Sequence, residues 1–183
     1  MKLKMKTKIN NISALLLLLM VFTATSCLKD DVLVVWPDRN YIVEIADTDH
    51  QFARNDQTVG TTVTYNDILV NQCAVHASHI TASFDVQLGI DEALIATYNT
   101  NNGLDGTVGK EKFVIMPAAN YTLPASVTID AGVKSKPFTV SVNTTGLSPN
   151  AKYIIPVVIK SVPSPYIISR NFGYINLLLT TKP

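Results

Sequence analysis

Cysteine, tryptophan and histidine are scarce in this chain of 183 residues, which contains two, one and three of them, respectively. With only Cys27 and Cys73 available, at most one internal disulfide can form, so packing must supply most of the stability. A long apolar run is also missing, since the run from Ile12 to Phe22 has eleven residues. A membrane-spanning helix needs about 20 apolar residues, so this run is too short to cross a bilayer.

The N-terminus has the three parts of a secretory signal peptide. Four lysines at positions 2, 4, 6 and 8 precede the apolar run without any acidic residue, and small residues follow it. The segment Ala24-Thr25-Ser26-Cys27 resembles a bacterial lipobox, in which the cysteine is lipidated and becomes the first mature residue. We predict a lipoprotein signal peptide at residues 1–26 and a lipid on Cys27. The alternative is an ordinary signal peptide that is cut near Ser26 and leaves Cys27 unmodified.

The residues after Cys27 predict the location of the protein. Lys29-Asp30-Asp31 resembles the short acidic tag that directs lipoproteins of Bacteroidota to the outer face of the outer membrane. Several acyl chains, at ~0.8 kcal/mol per buried methylene, hold a protein firmly at a bilayer. We therefore expect a protein that is lipid-anchored in the outer membrane and faces the cell exterior.

Positive charge is not in excess once the signal peptide is removed. The mature chain has 11 basic and 14 acidic residues, a net charge of −3. Because no basic surface is expected that could neutralise a row of phosphates, the composition argues against nucleic acid as a partner.

The mature chain is dominated by short segments in which apolar and polar residues alternate. From Ile80 to Ile90 every second residue is apolar, and similar alternation recurs over 127–129, 138–142 and 153–159. Strand-forming residues also fill 32–36, 41–46, 61–65 and 68–70, whereas the polar residues of 47–57 favour a loop. Pro156 lacks an N–H, which predicts an edge position or a bulge for its strand.

One segment has a helical pattern. Asp91 and Glu92 precede good helix formers, which predicts a short helix near 91–97, followed by a loop. Seven or eight short strands with almost no helix predict an all-β fold, an immunoglobulin-like antiparallel β-sandwich. We expect a tether at residues 27–38 and a single sandwich domain at 39–183.

Several short motifs occur in an order that resembles a known family. Tyr98-Asn99 is followed by Met116-Pro117 with Tyr121-Thr122-Leu123, by Val127-x-Ile129-x-Ala131-Gly132 and by Tyr153-x-Ile155-Pro156-Val157-x-Ile159. This order resembles an N-terminal domain of unknown function that begins many surface lipoproteins of Bacteroidota. Met116 and Ile155 stand where leucine is commoner in that family.

The resemblance extends from Tyr41 to the C-terminus. It implies a β-sandwich of the kind that is encoded among polysaccharide-uptake genes and often precedes a carbohydrate-binding domain or a glycosidase. The resemblance carries no catalytic or binding residue over to this chain.

Candidate metal and catalytic groups are few. His76 and His79 are three residues apart between strand segments, where they would point in opposite directions, and no carboxylate or thiol stands at ligand spacing. The apolar neighbours of Cys73 predict a buried, unreactive thiol. Asp91 and Glu92 are better explained as helix capping than as an acid–base pair, and the loop from Asn99 to Gly106 does not fit the EF-hand calcium template. We predict no metal, no cofactor and no enzymatic activity.

Aromatic side chains are the remaining candidates for ligand contact, because sugar rings stack on flat faces. Trp36, Tyr98 and Tyr166 each stand next to a proline or a loop. The sequence therefore predicts a non-catalytic surface accessory protein that assists glycan capture or polysaccharide uptake, with a polysaccharide or neighbouring outer-membrane uptake proteins as its partners. The alternative is a structural or interaction subunit without a sugar ligand, which would have an exposed apolar patch or an unpaired edge strand.

Overall fold

The computed structural model describes residues 41–46, 51–74 and 79–183. The predicted signal peptide, Cys27, the tether, the strand at 32–36, Trp36 and His76 all lie outside these ranges. The described residues form one α-helix, one 3-10 turn and eleven strands. The strands are Ile42–Ala46 (β1), Gln51–Thr58 (β2), Thr62–Gln72 (β3), Phe84–Ile90 (β4), Val114–Ile115 (β5), Tyr121–Thr122 (β6), Ser126–Ile129 (β7), Ser135–Asn143 (β8), Lys152–Ser161 (β9), Ile167–Ile168 (β10) and Tyr174–Lys182 (β11). The helix is Ala93–Asn101 (α1), and the 3-10 turn is Ala118–Asn120.

The strands form two sheets that pack as a sandwich, which confirms the predicted fold class. One sheet has the order β10-β1-β3-β8-β6, and the other has the order β2-β11-β9-β4-β7 with β5 beside β9. Eight strands have four or more residues, and the other three have two each. Three pairings are parallel, β1 with β10, β2 with β11 and β5 with β9, and the remaining pairings among the described strands are antiparallel.

The core lies between the sheets and follows the period-two pattern of the sequence. In β4, Phe84 and Val86 are buried while Asp85 is exposed, because successive side chains of a strand point to opposite faces. Tyr65 of β3 is completely buried, and its hydroxyl donates to the carbonyl of Leu178 at 2.7 Å. This hydrogen bond links one sheet to the other, and burial raises the pKa of Tyr65 far above its ordinary value.

Residues 51–57, which the sequence predicts as loop, lie in β2. β2 is an edge strand that runs parallel to β11, with Phe52 beside Leu177. An edge strand has only one neighbour and keeps many side chains in water, so its polar residues do not reveal a strand. Asp56 has a positive φ of 54° beside a register shift, and polar, bulged edges of this kind resist pairing with other chains.

Pro156 lies in a central strand, so the predicted edge position is wrong, whereas β9 does contain a register shift, between its residues Ile159 and Ser161. β9 pairs with β11 on one side and with β4 and β5 on the other. The carbonyls of Ile154 and Pro156 face the second side, where they accept the N–H groups of Met116 (3.0 Å) and Asp91 (3.1 Å). The proline nitrogen faces the same side, in the interval between β5 and β4, where the sheet needs no donor.

Two other predicted segments differ in extent. The strand expected over 80–90 begins at Phe84, and Ala82 is exposed although Ile80 is buried. The helix expected near 91–97 begins at Ala93 and continues to Asn101, into residues predicted as loop. No helix among the described ranges is long and apolar enough to cross a membrane.

Candidate functional site

A groove lies between α1 and the connection that leads from α1 to β5. We call it the α1 groove. Its apolar side chains are Ile95, Ala96 and Leu104, and its polar ones are Glu92, Asn99, Thr100, Asp105, Lys110 and Lys112. The groove therefore offers an apolar surface, hydrogen-bonding groups and charges of both signs.

The end of α1 sets the direction of the groove wall. Gly103 has a φ of +64°, a conformation that an L side chain rarely adopts. The N–H of Gly103 donates to Thr100 (3.1 Å), and the N–H of Leu104 donates to the carbonyl of Asn99 (2.9 Å). These are the two bonds of a Schellman motif, which ends a helix and turns the chain away from its axis.

Asn99 connects α1 to the far end of the same connection. Its side-chain amide donates to the carbonyl of Phe113, and its side-chain oxygen accepts the N–H of Phe113, both at 2.9 Å. Asn99 is 8% exposed and is the buried residue of α1. A buried amide with both groups satisfied fixes the wall of the groove relative to the strand that follows.

Hydrogen bonds within the connection hold its charged residues in place. The carboxylate of Asp105 accepts from the hydroxyl of Thr107 (2.7 Å) and from its N–H (2.9 Å). These bonds hold the pKa of Asp105 below its ordinary value, with a smaller contribution from Lys112. Asp105 therefore stays ionised at neutral pH and cannot serve as a general acid.

Glu111 attaches the connection to β9. Its carboxylate accepts the N–H of Gly109 at 2.8 Å and pairs with Lys152 at 3.1 Å. Bonds from the N–H of Gly109 and from its own N–H, followed by the bond from Lys152, lower the pKa of Glu111 to about 2. Lys152 also lies 6.0 Å from the centre of the Phe113 ring.

The predicted ring-stacking residues lie in separate places. Tyr98 is on α1, where its half-buried ring meets that of Phe113 edge-on at 5.4 Å between centroids. Tyr166 precedes β10 and stacks on Phe84, with centroids 3.8 Å apart and planes at 18°. Phe84 opens β4 whereas α1 follows the end of β4, so the two tyrosines do not form one platform. Ligand contact by either tyrosine, or by Trp36 outside the described ranges, stays a prediction.

The catalytic and metal-binding candidates of the sequence that the structure describes, Asp91, Cys73 and His79, do not form a shared site. The carboxylate of Asp91 accepts the N–H of Ala93 at 3.1 Å, whereas Glu92, the N-cap residue of α1, makes no side-chain capping bond. Cys73 is half-buried rather than fully buried, and His79 is exposed. Within residues 41–46, 51–74 and 79–183, no three side chains of His, Cys, Asp or Glu lie close enough to hold a metal ion.

The α1 groove is not predicted by the sequence patterns. Hydrophobic periodicity does not reveal a helix whose buried residue is an asparagine. A usable signal was present, because Gly103 followed by apolar Leu104 is the pattern of a helix end, and it would have extended the helix beyond residue 97.

Comparison with known proteins gives a family match and a set of structural likenesses. A family model described as "-like, N-terminal domain" matches residues 37–165. No curated protein matches the sequence.

Solved structures from Bacteroides ovatus share the fold. A protein of unknown function gives a TM-score of 0.60 at 14% identity, covering 79% of this chain and 46% of that chain. A "putative carbohydrate binding protein" gives 0.58 at 12% identity, covering 77% and 37%. A multidomain protein including DUF1735 gives 0.52 at 16% identity, covering 76% and 44%. This chain spans less than half the length of each of the three, and identities this low show the fold alone.

Proposed function

This chain belongs to the N-terminal domain family whose model matches residues 37–165, and on that premise we propose that it is a non-catalytic, lipid-anchored surface protein that helps to capture a glycan for uptake. The resemblance seen in the sequence is confirmed by the family match and by structural neighbours from Bacteroides. One neighbour is described as carbohydrate binding, which supports a glycan as the class of ligand.

The α1 groove is the observation that carries the proposal. A sugar presents hydroxyl groups at its rim and C–H groups on its faces, so a site for it needs donors, acceptors and an apolar surface together. Lys110 and Lys112 supply donors, Asp105 supplies an ionised acceptor, and Ile95 and Leu104 supply apolar contact. The bonds of Asn99 and Glu111 fix this arrangement before any ligand binds, which lowers the entropy cost of binding.

Affinity electrophoresis of the full chain through gels that contain purified polysaccharides tests this function. We expect at least one polysaccharide to retard the protein and Lys112→Ala to weaken that binding about tenfold, as loss of a hydrogen bond to a charged group would. Lys182→Ala is the matched control, since Lys182 is an exposed lysine on β11 that does not line the groove. Retardation by no polysaccharide, or equal binding by the two variants, would reject the α1 groove as a glycan site.

A structural or interaction role is the second candidate, and the open edge at β7 and β8 favours it. β7 ends its sheet, and β6 pairs only with Ser141 and Val142 of β8. Between these edges lies a shallow groove whose lining includes the largely buried side chains of Val127 and Phe138. An extended strand from a partner could add to such an edge.

Sedimentation velocity over a range of protein concentrations tests this candidate. Self-association that Thr128→Pro abolishes would favour it, because the register between β4 and β7 directs the Thr128 N–H away from β4. A monomer at all concentrations would leave this edge without support as a self-association surface.

A further inference from the structure

Exposed apolar side chains are concentrated at one edge of the described structure. The large hydrophobic residues with the most exposure are Tyr41 (41%), Val108 (100%), Val114 (50%), Ile167 (47%) and Phe172 (37%). Three of the five belong to the segment that precedes β1, to β10 and to the connection from β10 to β11. We call Tyr41, Tyr166, Ile167 and Phe172 the aromatic rim.

Backbone pairing with β1 holds the rim together. Ile167 lies beside Ile42 in a parallel pair, and the N–H of Ile45 donates to the carbonyl of Phe172 at 2.7 Å. The N–H of Ser169 donates to the carbonyl of Val43 at 2.8 Å. The edge of β1 therefore fixes the positions of Ile167 and Phe172.

Close packing fixes the rest of the rim. Tyr166 stacks on Phe84, and its ring centre lies 6.2 Å from that of Tyr41. A side chain at Gly173 would come within 2.7 Å of Ile168 and of the Ser169 backbone, so the connection back to β11 requires glycine there. The packing and the backbone bonds therefore hold the exposed apolar side chains of the aromatic rim in fixed positions.

The rim and the α1 groove lie at opposite ends of β4. Phe84, the first residue of β4, contacts the rim through Tyr166, whereas Asp91, just after the last residue, leads into α1. Seven residues at about 3.3 Å each separate these ends by roughly 20 Å. Val108 lies in the connection, between the groove residues Asp105 and Lys110.

We propose that the aromatic rim rests on the surface of the lipid bilayer and so turns the α1 groove away from it. Tyr41 follows the predicted lipid site Cys27 by 14 residues, a span of at most about 50 Å, so a lipid on Cys27 keeps Tyr41 within that distance of the bilayer and allows the rim to reach it. Tyrosine favours the headgroup region, where its apolar ring and its polar hydroxyl are both satisfied, and phenylalanine buries its apolar ring at the boundary with the acyl chains. Arg170, exposed within the same connection, adds attraction to anionic headgroups. This inference rests on the proposed lipid anchor and is independent of glycan binding.

Depth-dependent quenching of a fluorescent label tests the orientation. The full chain would be produced with its lipid, verified by mass spectrometry, and placed in phosphatidylethanolamine–phosphatidylglycerol vesicles that contain doxyl-labelled phosphatidylcholine. In a Cys73→Ser background, a nitrobenzoxadiazole label is attached at Asn171→Cys, next to Phe172, or at Val108→Cys, beside the α1 groove. We expect quenching at position 171 to exceed that at 108 by about twofold or more, since interfacial side chains lie ~5–10 Å into the headgroup region.

Substitutions in the rim separate lipid contact from simple tethering. Ile167→Ser and Phe172→Ser should reduce the quenching at position 171, whereas Val114→Ser, which removes an equally exposed apolar side chain outside the rim, should not. Melting temperatures show whether the variants remain folded. Equal quenching at 171 and 108, or unchanged quenching in the rim variants, overturns the orientation while leaving the lipid anchor and the glycan site intact. A Cys27 without lipid overturns both the orientation and the anchor.

Discussion

The space between the two sheets and the helix–loop connection at residues 91–113 are stabilised by different interactions. Between the sheets, apolar side chains such as Ile155 and Leu177 are almost completely buried. In the connection, the buried residue of α1 is Asn99, and hydrogen bonds and an ion pair hold the chain together with the ring contact of Tyr98 and Phe113. The sandwich therefore depends on area removed from water, and the connection depends on a few directional bonds.

This difference has a functional consequence. Apolar packing in the sandwich is cooperative, so damage there should reduce the stability of the whole fold. The connection carries the α1 groove, and its bonds are largely exposed, so it should open locally while the sheets stay folded. Substitutions in the two regions should therefore give separable effects on stability and on binding.

The largest effect should come from the core. Leu177→Ala removes a completely buried side chain of β11 and should cost about 2–5 kcal/mol of unfolding free energy, because the cavity it leaves cannot collapse fully. Urea unfolding of the full chain, followed by circular dichroism, measures this loss. Val114→Ala, at a half-exposed position, is the control and should cost far less. Similar losses for the two variants would mean that the space between the sheets does not dominate stability.

An intermediate and local effect should follow from Asn99→Ala. Without the amide, the N–H and carbonyl of Phe113 lose both bonds, and leaving such groups unsatisfied costs about 1–3 kcal/mol. Hydrogen exchange at the Phe113 amide should accelerate about tenfold or more, since 1.4 kcal/mol is a factor of ten in an equilibrium constant.

Hydrogen exchange in the sheets is the comparison that shows whether the effect of Asn99→Ala is local. Exchange in β9 and β11 should change less than exchange at Phe113, and glycan binding in the groove should weaken. Asn102→Ala is the matched control, because Asn102 is exposed and its side-chain amide donates to the carbonyl of Tyr98 in its own helix. Uniform acceleration across the sheets would show that Asn99 supports the whole fold and not the groove alone.

The sequence predicts the sandwich well because burial repeats every second residue. Phe138, Val140 and Val142 of β8 are buried and Thr139 is exposed, as alternation requires. The predictions that failed concern residues whose structure depends on neighbouring strands and not on their own sequence pattern. Polar residues 51–57 become a strand only because β11 offers a parallel partner, and Pro156 is accepted in a central strand only because its nitrogen faces the interval between β4 and β5.

The α1 groove was harder to predict for a different physical reason. Its geometry depends on bonds between residues that are distant in sequence, such as Asn99 with Phe113 and Glu111 with Lys152. The residues next to Gly103 in the sequence predict that the helix ends there, but they do not predict these pairings. Composition identified Tyr98 and Tyr166 as rings near loops, yet it could not show that the two rings pack at different ends of β4.

The smallest effect should be a change in pH dependence at Glu111. Its pKa is lowered to about 2 from an ordinary value of 4.5, so its bonds stabilise the folded connection fully above the ordinary value and lose that contribution as the pH falls toward 2. In Glu111→Gln the side chain cannot ionise, so the variant should differ most from the parent protein near neutral pH and converge with it near pH 2. Nuclear magnetic resonance of the Gly109 amide, which donates to this carboxylate at 2.8 Å, measures the titration.

Glu92→Gln is the control, because the structure gives that exposed groove carboxylate no hydrogen bond within the described ranges. If the Gly109 signal titrates alike in the parent and in Glu111→Gln, the Glu111 carboxylate does not accept the Gly109 N–H, and the contrast between the two regions would then rest on the bonds of Asn99 and Asp105.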